Sequence, residues 1–318
     1  MSERIVPIDY QTINDAAQAC EQGDTIIVLP GTYYEKKTVV INKDHITVRG
    51  EGADVIIGKS FTEGRVLFDI LSNHVVLRNL TVKDWNKGTG FKVCGNHVTI
   101  EDCQCMHNKI VITGNSCIVR GSGLSEAEIL LSGDGHVIRG NQLNQGKDIA
   151  IVNNFMPLSN TIIEDNFIKC MDDYSWQNWR YGIWIGHPMS KDILIRGNNI
   201  TAFTGIYLIG THLTLEKNIL SACNLVGIQL GSAYNVLREN AITGGLNGVV
   251  MMKGHNTLEK NIIGYCEDAG LTLVADGNVI ESNLINSCTV GIRDVGQDNI
   301  IRGNQYFDNG KELMGTYE

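Results

Sequence analysis

Three of the four tryptophans, Trp176, Trp179 and Trp184, fall in one stretch, KCMDDYSWQNWRYGIWIGHPMSKD, together with Asp172, Asp173, Arg180, Tyr181 and His187. Aromatic rings stack on the apolar faces of sugars, and a few placed carboxylates or guanidiniums fix hydroxyl groups. Asp172 and Asp173 are the residue types that serve as acid and as nucleophile or base in glycosidic cleavage. Adjacent residues usually point apart, so a second carboxylate from a preceding segment is expected, with Glu126, Glu128 and Asp148 as candidates. Arg180 and His187 could neutralise a uronate or abstract its α-proton, the requirement of β-elimination. The same acids could hold calcium. The plainer readings are a solvated Asp-Asp loop turn, a His187-Pro188 turn, and aromatic residues folding on themselves as a flap.

A second group of reactive types is CQCMH, with Cys103, Cys105 and His107 on one short strand. Zinc takes such ligands, but no fourth ligand is evident and Cys105 aligns with Leu124, Leu143 and Ile168, which read as core positions. Cys223, Cys266 and Cys288 each stand five residues after an Asn and read as a row of buried thiols. No GxxxxGK[ST], GxSxG or HExxH stretch occurs.

What must position these residues is a repeat. Apolar, Arg/Glu, any, Asn, any, apolar recurs as IRGNQL, IEDNFI, IRGNNI, LEKNIL, LRENAI, LEKNII, IESNLI and IRGNQY, marked by Asn141, Asn166, Asn198, Asn218, Asn240, Asn261, Asn283 and Asn304. The last five intervals are 20, 22, 21, 22 and 21 residues. Weaker copies stand upstream: VRGEGA, LRNLTV, IEDCQC and VRGSGL. A strand precedes each strong copy from residue 182 on (GIWIG, GIYLI, GIQLG, GVVMM, GLTLV, GIRDV). Its alternation has period two. Ile183, Ile185, Ile206, Leu208, Ile228 and Leu230 share one face, while Trp184, Tyr207 and Gln229 share the other. Trp184 and Tyr207 are therefore expected to be outward neighbours that extend the aromatic platform.

A unit of about 21 residues cannot bury its apolar face alone. Stacked coils with parallel pairing between equivalent strands solve this. The charged residue two before each Asn, from Glu164 through Arg196, Glu216, Arg238, Glu259 and Glu281 to Arg302, mostly alternates in sign and reads as a solvated ladder. Asn235, Asn256, Asn278 and Asn299 read as a second amide ladder at a turn. The fold expected is all-β, a single-stranded right-handed parallel β-helix of about 12 coils in one domain. Residues 11–20 form a capping helix, and residues 171–192 an insertion where the regularity breaks.

With net charge −9, a nucleic-acid partner is not expected, because phosphate binding needs clustered Lys/Arg. No run of 18 apolar residues marks a membrane span. No basic segment followed by an apolar core opens the chain, and nine cysteines without paired spacing suit reduced thiols. A cytoplasmic location is expected on those grounds, and a homotrimer would suit the shape.

The opening helix, GDTIIVLPGTY and ITVRGEG resemble the first coils of the pectate-lyase-like superfamily, and the Asn-marked coils resemble its NosD-like or carbohydrate-binding-and-hydrolase repeats. The resemblance covers nearly the whole chain. It implies an oligo- or polysaccharide as partner, with hydrolysis, transfer or elimination as the chemistry, or else a non-catalytic binding or phage or spore surface protein. The basic pair and calcium cluster of the lyases and the YG-aspartate-proline stretch of the alginate epimerases have no counterpart, so the reaction stays open.

Overall fold

The computed structural model describes residues 2–52, 55–59, 66–83, 88–145, 150–153, 156–170 and 180–315. The chain is an all-β, right-handed parallel β-solenoid of about 13 turns with one short helix. It divides into two compact units, residues 1–145 and 146–318.

One coil of the second unit shows how the sequence makes the fold. Val226–Leu230 forms its first strand, Val236–Arg238 its second and Ala241–Thr243 its third, and Asn247–Met251 then begins the next coil. Each strand pairs in parallel with its equivalent one coil on, so three sheets form. Alternation sends Ile228, Leu230, Leu237 and Ile242 inward, where each is 0% exposed. They stack on like residues: Ile228 on Val249, Leu237 on Leu258, Ile242 on Ile263. Burying each such side chain is worth about 1.5–3 kcal/mol, and stacking lets a 21-residue unit collect it on both sides.

The corner between second and third strands is sharp. Its first residue adopts positive φ, as at Lys217 (φ 55), Glu239 (φ 55) and Lys260 (φ 55), with Gly197 and Gly303 at the same place in other coils. The Asn that follows holds the corner. Asn240 Oδ1 accepts from both the backbone N–H (3.0 Å) and the side-chain amide (2.9 Å) of Asn218. Asn240 Nδ2 in turn donates to Leu215 O and to Asn261 Oδ1, both at 2.9 Å. Every polar atom of this buried amide is used, which is the condition for burying it at all. The second ladder runs from the Leu213 N–H to Asn235 and on through Asn256 and Asn278 to Asn299.

The glycine in the second place of these first strands has a steric reason. A Cβ on Gly205 would lie 2.5 Å from Gly227 O, and one on Gly248 would lie 2.5 Å from Gly270 O. The column admits no side chain without spreading the coils.

The first unit has the same three sheets. Its second sheet runs through Thr25–Val28, Thr47–Gly50, Val76–Arg78, Thr99–Glu101, Ile118–Arg120 and Val137–Arg139. Here the place of the ladder Asn is taken by Leu80, Cys103 and Ser122 before Asn141 appears. The capping helix spans Ile13–Ala19, shorter than expected at both ends, because Thr12 is its N-cap and Cys20 is already extended. Ile13, Ala16 and Ala17 are its buried face. The buried carboxylate of Glu35, from the strand Gly31–Glu35, accepts the N–H groups of Ile13 (2.8 Å) and Asn14 (3.2 Å), and so satisfies donors that a helix start leaves open.

Candidate functional site

The outward face of the first sheet in the second unit carries the aromatic residues. Strands Tyr181–Ile185, Thr204–Leu208, Val226–Leu230, Asn247–Met251, Ala269–Leu273 and Val290–Asp294 are neighbours in that order. Register sets Trp184 beside Tyr207, Tyr207 beside Gln229, then Val250, Thr272 and Arg293. Tyr181 rests against both other rings, its centroid 5.7 Å from Trp184 and 5.5 Å from Tyr207. The expected pairing of Trp184 with Tyr207 is therefore met, with Tyr181 added as a third ring.

Their exposure differs from an open platform. Tyr181 is 7% exposed, and its hydroxyl pKa is pushed up by that burial. Trp184 and Tyr207 are half-buried. The indole lies over the chain at Gly186, where a Cβ would come 2.6 Å from Trp184 Nε1. That N–H is buried without a hydrogen-bond partner, a costly state for a donor. Ring face, rather than indole N–H, is what Trp184 offers a ligand.

Beyond the rings the face becomes polar. Thr272 Oγ1 donates to Asn247 Oδ1 at 2.9 Å. Arg293 grips Asp268 with two bonds, Nη1 to Oδ2 at 2.5 Å and Nη2 to Oδ1 at 2.6 Å. The bonds from Arg293 hold the Asp268 carboxyl below its ordinary pKa. Asp268 thus stays ionised near neutral pH: it can accept a hydrogen bond from a hydroxyl, but held below its ordinary pKa by two arginine bonds it is neither a proton donor nor a strong base. Sequence reasoning missed this pair. Its signal was GIRDV, which places Arg293 at the outward position of its strand.

The other candidates separate. Asp172, Asp173, Trp176 and Trp179 lie outside the described residues, as does Asp148. Arg180 is 5% exposed, and its carbonyl accepts the Thr204 N–H at 2.9 Å. His187 lies in the turn after Tyr181–Ile185, where its Nδ1 accepts the Met189 N–H at 3.2 Å. This matches the simple turn reading. In the first unit, Glu126 pairs with His107 at 3.2 Å and Glu128 pairs with Lys109.

No group of three or more His, Cys, Asp or Glu among the described residues is placed to hold a metal. Cys103 and Cys105 fill core positions, and burial pushes both thiols up, Cys103 to about 12. His212 and His255 sandwich the Tyr234 ring at 5.8 and 5.4 Å.

Comparison with known proteins agrees with this fold. Residues 173–316 match the family described as periplasmic copper-binding protein (NosD). No match is found among curated protein sequences. Among solved structures, the A-module of the Azotobacter vinelandii mannuronan C-5 epimerase AlgE6 superposes with a TM-score of 0.65 at 13% identity, over 94% of this chain and 92% of that one. The periplasmic alginate epimerase AlgG gives 0.63 at 9% identity, over 98% and 83%. The GH87 α-1,3-glucanase catalytic unit of Streptomyces thermodiastaticus gives 0.61 at 16% identity, over 94% of this chain and 64% of that unit. At these identities the likeness is one of fold, a right-handed parallel β-helix.

These comparisons correct one expectation. The matched family is periplasmic and so is AlgG, which points away from the cytoplasm. Free thiols misled the reading: in this fold a buried Cys fills a core position whatever the redox poise outside. Among the described residues no group of three or more His, Cys, Asp or Glu is placed to hold the copper in the family's name, and the thiols of the matched segment are buried.

Proposed function

We propose that the outward face of the first sheet in the second unit binds a carbohydrate chain, and that the protein cleaves or rearranges glycosidic bonds there. The observation that carries this reading is the row Trp184, Tyr207, Gln229, which begins in stacked rings beside Tyr181 and passes into Asn247–Thr272 and Asp268–Arg293. A sugar chain laid along it would meet ring faces first, then amide and hydroxyl groups, then an ionised carboxylate. The solved neighbours include an epimerase of mannuronan and an α-1,3-glucanase, which supports a glycan as ligand. Asp268 supplies an acceptor for sugar hydroxyls. The acid and base would have to come from elsewhere, and Asp172 and Asp173 are the candidates, with Arg180 and His187 as further catalytic candidates.

The test is a panel of neutral glucans, fructans and uronans read by reducing-sugar release, by unsaturated-product absorbance and by product stereochemistry. Activity on one class, lost in Asp268→Asn and weakened in Trp184→Ala with unfolding temperature nearly kept, would carry the reading. Silence across the panel, with binding retained, would favour a non-catalytic binding module, the alternative supported by the NosD match over the same segment.

A further inference from the structure

The outward row of the first sheet in the second unit is short of charge. Its six strands, from Tyr181–Ile185 to Val290–Asp294, contain one cation, Arg293, and one anion, Asp294. Asp294 Oδ1 is held by the chain that follows, accepting from the Gly296 N–H at 3.2 Å and from Asn299 Nδ2 at 2.8 Å. Both Nη groups of Arg293 are taken by Asp268. The other outward members, Trp184, Tyr207, Gln229, Val250 and Thr272, are uncharged. The turns flanking Val226–Leu230, Asn247–Met251 and Ala269–Leu273 set Lys253 against Glu267, Asp268 and Asp276. With Arg293 counted against Asp268, the field along these strands is neutral to negative.

A second column lies beside the row. Two residues on from a row member, on the same face of the extended chain, stand Ile209, Met252, Val274 and Val295. The ladder continues through them: the N–H groups of Met252, Val274 and Val295 donate to Leu230 O, Met251 O and Leu273 O, each at 2.9 Å. Gln229 Nε2 donates to Met252 Sδ at 3.1 Å, which ties the two columns together. Nearer the rings the column has Gly231, where a Cβ would meet Ile209 and the Tyr207 ring at 3.5 Å. Met252, Val274 and Val295 are 44%, 49% and 40% exposed, so the column is an open apolar strip and not core.

We infer that this face takes an uncharged glycan chain and excludes polyuronans, an inference that rests on the reading of the row as a carbohydrate-binding face. The faces of neutral sugar rings are C–H surfaces, which suit the indole and phenol rings and then the apolar strip. Their hydroxyls exchange hydrogen bonds with Gln229, Thr272 and Asn247. Six strands about 4.8 Å apart span about 24 Å, room for several sugars. A polyuronan of that length would bring one carboxylate per sugar against a row whose one guanidinium is already closed by Asp268. Each carboxylate would give up water without gaining a cation. Glu267, Asp268 and Asp276 would add like-charge repulsion.

The test is affinity electrophoresis and calorimetry with laminarin, dextran, inulin and polygalacturonate at low salt. Each neutral polymer is compared with its lightly carboxymethylated form and with its hydroxyethylated form, which has like bulk and no charge. At least one neutral polymer should bind, and Trp184→Ala should weaken it. Its carboxymethylated form should bind at least about tenfold more weakly than the hydroxyethylated one, and polygalacturonate should not bind. Asp268→Asn leaves Arg293 without its carboxylate and should narrow that gap. Circular dichroism and the unfolding midpoint establish that each variant folds. Should Asp268→Asn fail to fold, Gln229→Lys adds a cation to the row and reads the same gap. A carboxymethylated polymer bound as tightly as its hydroxyethylated counterpart, or polygalacturonate bound and weakened by Trp184→Ala, would overturn the charge preference and leave the glycan-binding face standing. An unchanged gap in the folded charge variants would do the same. No binding by any polymer, or binding indifferent to Trp184→Ala, would overturn the binding face itself and the charge preference with it.

Discussion

The two units use one coil plan with different corner residues. In residues 146–318 the corner positions are amides: Asn166, Asn198, Asn218, Asn240, Asn261 and Asn283 are all at most 1% exposed. In residues 1–145 the same positions hold Leu80, Cys103, Ser122 and only then Asn141. Partners follow the residue. The Cys103 N–H goes to Ser122 Oγ at 3.2 Å, and the Ser122 N–H to Asn141 Oδ1 at 3.0 Å. A hydroxyl closes one rung where an amide closes the next. The repeat is therefore a set of backbone demands that several side chains meet with different completeness. The amide ladder meets them all, and is the more exacting to alter.

Replacing a ladder amide should have the largest effect. Asn240→Ala orphans the Asn218 N–H and removes three further bonds, from the Asn218 side chain to Asn240 Oδ1 and from Asn240 Nδ2 to Leu215 O and Asn261 Oδ1. With a buried orphan costing about 1–3 kcal/mol and each lost bond about 1 kcal/mol, the loss should reach about 3 kcal/mol or more in denaturant unfolding. Ser122→Ala should cost only about 1 kcal/mol, since one accepted and one donated bond disappear. Equal losses at the two sites would erase the distinction between the units.

The next effect concerns pH. In the second unit Asn235 receives the Leu213 N–H at 2.9 Å; in the first, His136 Nδ1 receives the Cys117 N–H at 3.3 Å while Nε2 faces Ser132 O at 3.1 Å. Nδ1 must stay unprotonated to accept. Burial lowers the His136 pKa, outweighing the opposing influence of the Ser132 carbonyl and Asp134. The folded state thus binds its proton less readily than the unfolded chain. The stabilisation is full above the unfolded value of about 6.5 and is lost as pH falls below it toward the folded pKa. Thermal unfolding followed from pH 7 to 5 should show a steeper decline for the native protein than for His136→Asn. Parallel curves would mean that the imidazole is not the acceptor described.

How much of this was legible follows from which residues are bound by the stacking. Ile206, Ile228 and Leu230 were readable as core because period-two alternation and a 21-residue spacing leave no other place for them. Asn240 and Asn261 were readable as ladder partners because an Asn repeated beside a strand end has few other uses. Trp184 and Tyr207 were readable as neighbours from the same register. Asp268–Arg293 was not, because its two residues sit at different positions of successive coils. Nor was the pairing in register of Arg49 with Arg78, because both stand in copies whose Asn is missing, so the charges were counted only from Glu164. The acids and rings of Asp172, Asp173, Trp176 and Trp179 interrupt the repeat, and the repeat holds no information about where an interruption goes.

The smallest effects should differ in sign between the units. Arg238 bonds Glu216 at the surface, with side chains 46% and 14% exposed. Such pairs contribute little, so Arg238→Gln should lower the unfolding midpoint by on the order of 1 °C. Arg78→Gln removes a cation whose neighbour in register is Arg49, and leaves Glu101 its closer partner, Arg120. Relief of the repulsion from Arg49 should offset the weak attraction of Arg78 to Glu101, and the midpoint at low salt should hold or rise slightly. Added salt should compress both shifts toward zero, because screening acts on exposed charges of either sign. If Arg78→Gln instead lowers the midpoint as Arg238→Gln does, the attraction of Arg78 to Glu101 outweighs the repulsion from Arg49, and the two columns are neutralised alike.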